Sequence, residues 1–155
     1  EAGVSNPLIY KYFDTRLQVL QELLIREAKS FRASVSESLT PAKTYPEAVR
    51  LYVDINFQQF AGGDVLSILF NQPDVRQALT EGEGHQRAPF FIKQLAKEYN
   101  ISNRRAEKLV VMASAASLAA AEHYGRFGGD RDAQIDQAVD FIFGGINSVL
   151  NTAEN

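Results

Sequence analysis

The 155-residue chain contains no cysteine, only two histidines and a single methionine. Without cysteine there is no disulfide framework and no thiol chemistry, which fits a reducing compartment and makes a cytoplasmic location the expectation. Two histidines, with no convergent acid–base set around them, leave catalysis without its usual side chains. No phosphate-cradling glycine loop, no His-x-x-x-His spacing and no nucleophile elbow can be found. The expectation is a protein that is not an enzyme and carries no cofactor. Long apolar runs are missing as well. The longest, Leu109 to Ala121, includes Ser114 and Ser117 and falls short of the about 20 residues that cross a bilayer. Residues 1–30 lack the basic start, apolar run and cleavage site of a secretory signal, so no membrane partner is expected. Excess positive charge is absent too: the net charge is −3. Residues 1–32 hold Lys11, Arg16, Arg26, Lys29 and Arg32 against Glu1, Asp14, Glu22 and Glu27, five minus four, or +1. Charge alone does not suggest nucleic acid. No internal repeat and no low-complexity segment occurs.

What is present is a globular composition, 45% hydrophobic and 23% charged, with room for one domain or one domain plus a fragment. The most informative stretch is Gly3-Val4-Ser5-Asn6-Pro7-Leu8-Ile9-Tyr10-Lys11-Tyr12-Phe13. A glycine turn leads to Ser5 or Asn6 as helix cap, with Pro7 in the first turn, where its missing N–H costs nothing. Asp14-Thr15 end that helix after about two turns, and Thr15 with Gln18 forms a capping box for the next one. A helix this short buries no core of its own. It is held by its neighbours and turns a face with two tyrosines and a lysine outward.

Ala2-Gly3-Val4-Ser5, then Ile9-Tyr10-Lys11-Tyr12-Phe13, then Arg16, Leu17 and Leu20 resemble the second half of the helix-turn-helix of the tetracycline-repressor (TetR) family, running into that family's connecting helix. The match covers residues 1–24 and is generic beyond them. Family members carry roughly one and a half further helices before this point, so Glu1-Ala2 would be the tail of the preceding helix and the chain would lack the start of its DNA-binding domain. The resemblance implies an all-α, TetR-like fold. Residues 1–32 would be the end of the DNA-binding domain with its connecting helix, and residues 33–155 a ligand-binding and dimerisation domain with a four-helix dimer interface. It also implies a transcriptional regulator, usually a repressor, that a small effector releases from near-palindromic double-stranded operator DNA. By resemblance Ser5, Tyr12 and Arg16 contact phosphates, and Asn6, Pro7, Leu8, Tyr10 and Lys11 face the major groove. Asn6 could pair with adenine, Lys11 donate to guanine, and Leu8 meet a thymine methyl. Ile9 and Phe13 are expected to pack inward.

Further along, Leu17, Leu20, Leu24, Ala28, Phe31 and Val35 recur at helical spacing and predict one helix over 15–35, by position a lever between the two domains. Ser36 to Thr44 reads as a loop. Thr44 with Glu47 is a second capping box, followed by the stripe Val49, Tyr52, Val53, Asn56, Phe57 and Phe60. Asn56, an amide in an aromatic stripe, either bonds a neighbour such as Tyr52 or faces a cavity and orients a ligand. Short helices are expected over 64–70 and 71–80, and a longer one from Pro89 to Tyr99. Phe90 and Phe91 cannot both face inward, so one should line a groove or a pocket. A helix capped by Ser102 or Asn103 runs to about Arg126, apolar on nearly every face from Leu109 to Ala121 and so buried almost all round, at the centre or beneath a second chain. His85 reads as a solvated loop residue. His123, beside Glu122 with Asp130 and Asp132 nearby, is either a weak metal site or a helix-end histidine near terminal carbonyls.

The last helix, capped by Asp130 or Asp132, carries Ile135, Ala138, Val139, Ile142, Ile146, Val149 and Leu150. Its Gly144-Gly145 pair costs about 1 kcal/mol per glycine relative to alanine, which suggests close approach of another backbone. Phe143-Gly144-Gly145-Ile146 also resembles the last helix of many TetR-family members, and implies a homodimer through residues 104–126 and 132–150. The ligand pocket is expected between the long helix and the helices of 46–61 and 89–99, with Tyr52, Asn56, Phe57, Phe60, Phe91 and Met112 as its lining. Such a lining suits an apolar or aromatic molecule. The competing reading is a helical dimer that senses or carries a small molecule and never touches DNA.

Overall fold

The computed structural model describes residues 12–61, 64–81 and 89–152. Among these residues there are seven helices and no strand. They are α1 (Arg16–Ser38), α2 (Tyr45–Ala61), α3 (Val65–Phe70), α4 (Pro73–Glu81), α5 (Pro89–Glu98), α6 (Asn103–Phe127) and α7 (Arg131–Asn151). The fold is all-α, as the helical periodicity predicts. None of these helices is long and apolar enough to cross a membrane.

The helix starts follow local chemistry. Thr15 Oγ1 accepts from the Gln18 N–H at 3.2 Å, and Gln18 Oε1 accepts from the N–H groups of Asp14 and Thr15 at 2.7 and 3.3 Å. Both halves of the first capping box therefore form. The second pairs the Glu47 N–H with Thr44 Oγ1, while Glu47 reaches back to the Lys43 N–H. Ser102 caps α6 and Asp130 caps α7. At the end of α5, Asn100 takes the left-handed conformation (φ 51°) and the Ile101 N–H donates to the Ala96 carbonyl, an arrangement asparagine tolerates better than most residues. Replacing Thr15 with alanine should lower the stability of the unit that holds it by about 1 kcal/mol. Urea denaturation checks this, and an unchanged midpoint would remove the cap from the account.

One boundary differs from the sequence expectation. Helix α1 does not stop at Val35 but continues to Ser38. Serines 36 and 38 are solvated rather than helix-breaking. Val35 and Leu39, one turn apart, are both buried and carry the apolar stripe onward, and the Leu39 N–H still donates to the Val35 carbonyl at 3.0 Å.

The chain divides into two compact units, and it passes from the first to the second within α1, between residues 33 and 34. The first takes α1 up to residue 33 together with α3 and α4, which the sequence reading placed in the 33–155 domain. Among the described residues its buried apolar side chains are Leu24, Leu66, Leu69 and Val75, with Ser67 the buried polar one. Gln21 donates to the Asp74 carbonyl at 3.1 Å, and the Arg76 guanidinium lies over the Phe70 ring.

The second unit is built on α6, against which α2, α5 and α7 all pack. Arg131 to Asp54, Arg50 to Asp136 and the ring pair Tyr45–Phe143 fix α2 and α7 antiparallel. Helices α6 and α7 form a hairpin through Gly128 and Gly129, both at positive φ, which glycine adopts at no steric cost. Gln134 closes the turn by donating to the Gly128 carbonyl at 2.8 Å, and Arg105 ties the far end by donating to the Val149 carbonyl.

Candidate functional site

The interior of the second unit holds most of the expected ligand residues, in two different settings. Phe57 and Phe60 are core side chains, and the Phe57 ring packs on Tyr124 with centroids 5.4 Å apart. Asn56 is 1% exposed, and its Nδ2 donates to Ser117 Oγ at 2.8 Å. Its partner is therefore not Tyr52 but a serine 61 residues away on α6. Ser117 is itself fully buried, so the pair satisfies two polar groups that would each be costly alone.

One helical turn before Asn56 the packing opens slightly. A cavity of about 10 Å³ lies among Tyr45, Val49 and Tyr52 of α2 and Val110, Ala113 and Ser114 of α6. Phe91 of α5 and Ile142 of α7 complete its wall. That volume admits about one water, far below the 300–1,000 Å³ or so of a pocket that holds a drug-sized ligand. Phe91 is the hub of the wall. Its ring meets Tyr52 at 5.2 Å, Phe90 at 5.5 Å and Tyr45 at 6.4 Å, all edge to face. Phe91 is buried and Phe90 partly exposed, so the adjacent pair splits between interior and surface as their spacing requires. Burial pushes the Tyr45 phenol far above its ordinary range, with Tyr99 adding to the shift. The Tyr99 phenol is raised as well, by burial and then by Glu98. Both remain neutral phenols at physiological pH. The cavity thus gathers Tyr52 and Phe91 of the expected residues and leaves out Asn56, Phe57, Phe60 and Met112.

Met112 has a different setting. It is 62% exposed on the outer face of α6, beside Val111, Ala115 and Ala119. Helix α6 is therefore not buried all round within one chain. Its inner side carries Ala106, Leu109, Val110, Ser117 and Ala121, while the opposite side is bare. Phe127, 72% exposed with the His123 ring tilted against it at 4.7 Å, ends the same helix. On α7 Phe141 is 71% exposed away from the buried row, while Val149 continues that row and is exposed near the helix end. Gly144 and Gly145 lie on the Phe141 side, and a Cβ built on either would meet nothing within 4 Å. The pair therefore serves no close approach among the described residues. His123, Glu122, Asp130 and Asp132 assemble no metal-binding group among the described residues.

In the first unit a groove of about 400 Å³ runs between Arg16, Leu17 and Leu20 of α1 and the 71–75 segment that opens α4. Sequence reasoning missed it, because its two walls lie some 50 positions apart and share no motif. Of the expected DNA contacts, Tyr12 is 72% exposed and Arg16 is exposed at the first residue of α1. Ser5, Asn6, Pro7, Leu8, Tyr10 and Lys11 lie outside the described residues, as do Ile9 and His85. Phe13 is half-buried.

No protein-family model, no curated protein and no solved structure matches the chain.

Proposed function

We propose that the protein is a homodimeric DNA-binding regulator of the TetR type, a repressor whose hold on operator DNA a small apolar or aromatic ligand loosens. The observation that carries the reading is the bare outer side of α6 and α7. Phe127, Phe141, Met112 and Val111 stand exposed there, together with two mid-helix glycines that no other group approaches among the described residues. Exposed apolar surface of this kind marks an interaction site. A second copy is the occupant that the resemblance of residues 1–24 requires. One short recognition helix reads only a few base pairs, and specificity comes from two of them set about 34–36 Å apart. The position of α1 fits the connecting helix, since its capping box opens directly after Tyr12 and Phe13. Ligand in the second unit would act by population shift, favouring a recognition-helix spacing that no longer suits DNA. A ligand complex whose spacing equalled that of the DNA complex would remove this step.

Operator binding tests the reading. A duplex selected from a random pool should bind with an affinity that falls steeply with salt, at a log–log slope of about −0.9 per phosphate neutralised. Negligible binding with a flat salt response would reject DNA recognition and leave a helical dimer that senses or carries a small molecule.

A further inference from the structure

We infer that the cavity bounded by α2, α5 and α6 is the closed form of a site for an uncharged, single-ring aromatic molecule, with the Phe91 ring keeping the ligand's place. The inference rests on the small-ligand part of the reading above and names the chemical class of that ligand.

Three observations carry it. First, the cavity wall holds no carboxylate, ammonium, guanidinium or imidazole: it is built of aliphatic groups, Phe91, two phenols and the Ser114 hydroxyl. A carboxylate or an ammonium entering there would lose its hydration and find no opposite charge, which makes an ion a poor occupant. Second, the same wall is rich in ring edges and faces, with Tyr45 and Tyr52 both edge to face with Phe91. An incoming ring of similar size can inherit those contacts, and the hydroxyl-bearing residues Tyr45, Tyr52 and Ser114 offer it a polar handle. Third, at about 10 Å³ the space holds no ring unless a side chain leaves, and Phe91 is the one placed to leave. It stands in the first turn of α5, where backbone N–H groups lack intrahelical acceptors and a shift breaks few bonds. Its neighbour Phe90 already reaches solvent.

The test uses three ring compounds of nearly equal size, p-cresol, benzoate and benzylammonium, titrated calorimetrically into the chain at pH 7 without DNA. The expected result is p-cresol binding at least about tenfold tighter than either ion, a discrimination of 1.4 kcal/mol or more. Nuclear Overhauser contacts should run from its ring to the methyl groups of Val49, Val110 and Ile142. Phe91→Ala, which vacates the ring's place, should bind p-cresol more tightly still; if that variant does not fold, the native chain decides. Equal or tighter binding of benzoate or benzylammonium overturns the inference. So does absence of p-cresol binding, and so do contacts to the Leu17 and Leu20 methyl groups in the groove of the first unit. The two proposals fail separately. Binding of p-cresol without any effect on a DNA complex would remove the regulatory reading and keep this one. Operator binding by a chain that ignores p-cresol would do the reverse.

Discussion

Phe141→Glu should turn a two-chain assembly into single chains without unfolding them. In one chain the Phe141 ring is 71% exposed, so glutamate there disturbs no core and should leave helix content and melting of the isolated chain unchanged. In the proposed dimer the ring is covered. The substitution then forfeits about 1.5–3 kcal/mol of apolar burial per copy. It also buries a carboxylate with no partner, a fault that costs about 3–5 kcal/mol where buried pairs have been broken. With two copies affected, the dissociation constant should rise by more than about a thousandfold. Size-exclusion chromatography with light scattering reads this directly, and an unchanged mass would place the interface elsewhere. The glycines give an opposite-signed companion. Gly144→Ala meets nothing within 4 Å and should stabilise the single chain by about 1 kcal/mol through helix propensity. The same methyl should weaken association if two backbones meet at that point.

Phe57→Ala should destabilise the second unit by about 3–5 kcal/mol, the range for truncating a buried aromatic side chain. Phe57 is 1% exposed and packs on Tyr124, outside the cavity wall. Its loss should therefore appear in urea denaturation and leave the preference for neutral over charged ring compounds unaltered. A loss below about 1 kcal/mol would mean that the site collapses freely or that the ring borders open space, and would return Phe57 to the ligand site.

These expectations mark how much the amino-acid pattern could say. Thr15 with Gln18 and Thr44 with Glu47 are legible because a capping box is decided within four residues, whereas Ser102 and Asp130 are each one of two candidates that the structure separates. The inward stripes of α2 and α7 were legible because one face repeats every 3.6 residues. The α1 terminus was less so: Ser36 and Ser38 look like loop residues until Leu39 is seen to be buried. Helix α6 failed in an instructive way. A run that is apolar on all sides gives no sign of which side faces inward, so the pattern points Met112 to the interior although it lies on the bare face. The Asn56–Ser117 bond, the Arg131–Asp54 ion pair and the groove beside Leu17 join residues more than 50 positions apart. Local pattern carries no register for such pairings. The helices expected to enclose a pocket enclose a small cavity, but its wall includes Tyr45, Val110 and Ser114, which no stripe distinguishes from core.

Sedimentation equilibrium of the unaltered chain bears most directly on the central claim, that the outer side of α6 and α7 is made for a second copy. A two-chain mass that persists at low micromolar concentration is the result predicted. A single-chain mass up to the highest soluble concentration would contradict it, and with it the paired reading of DNA.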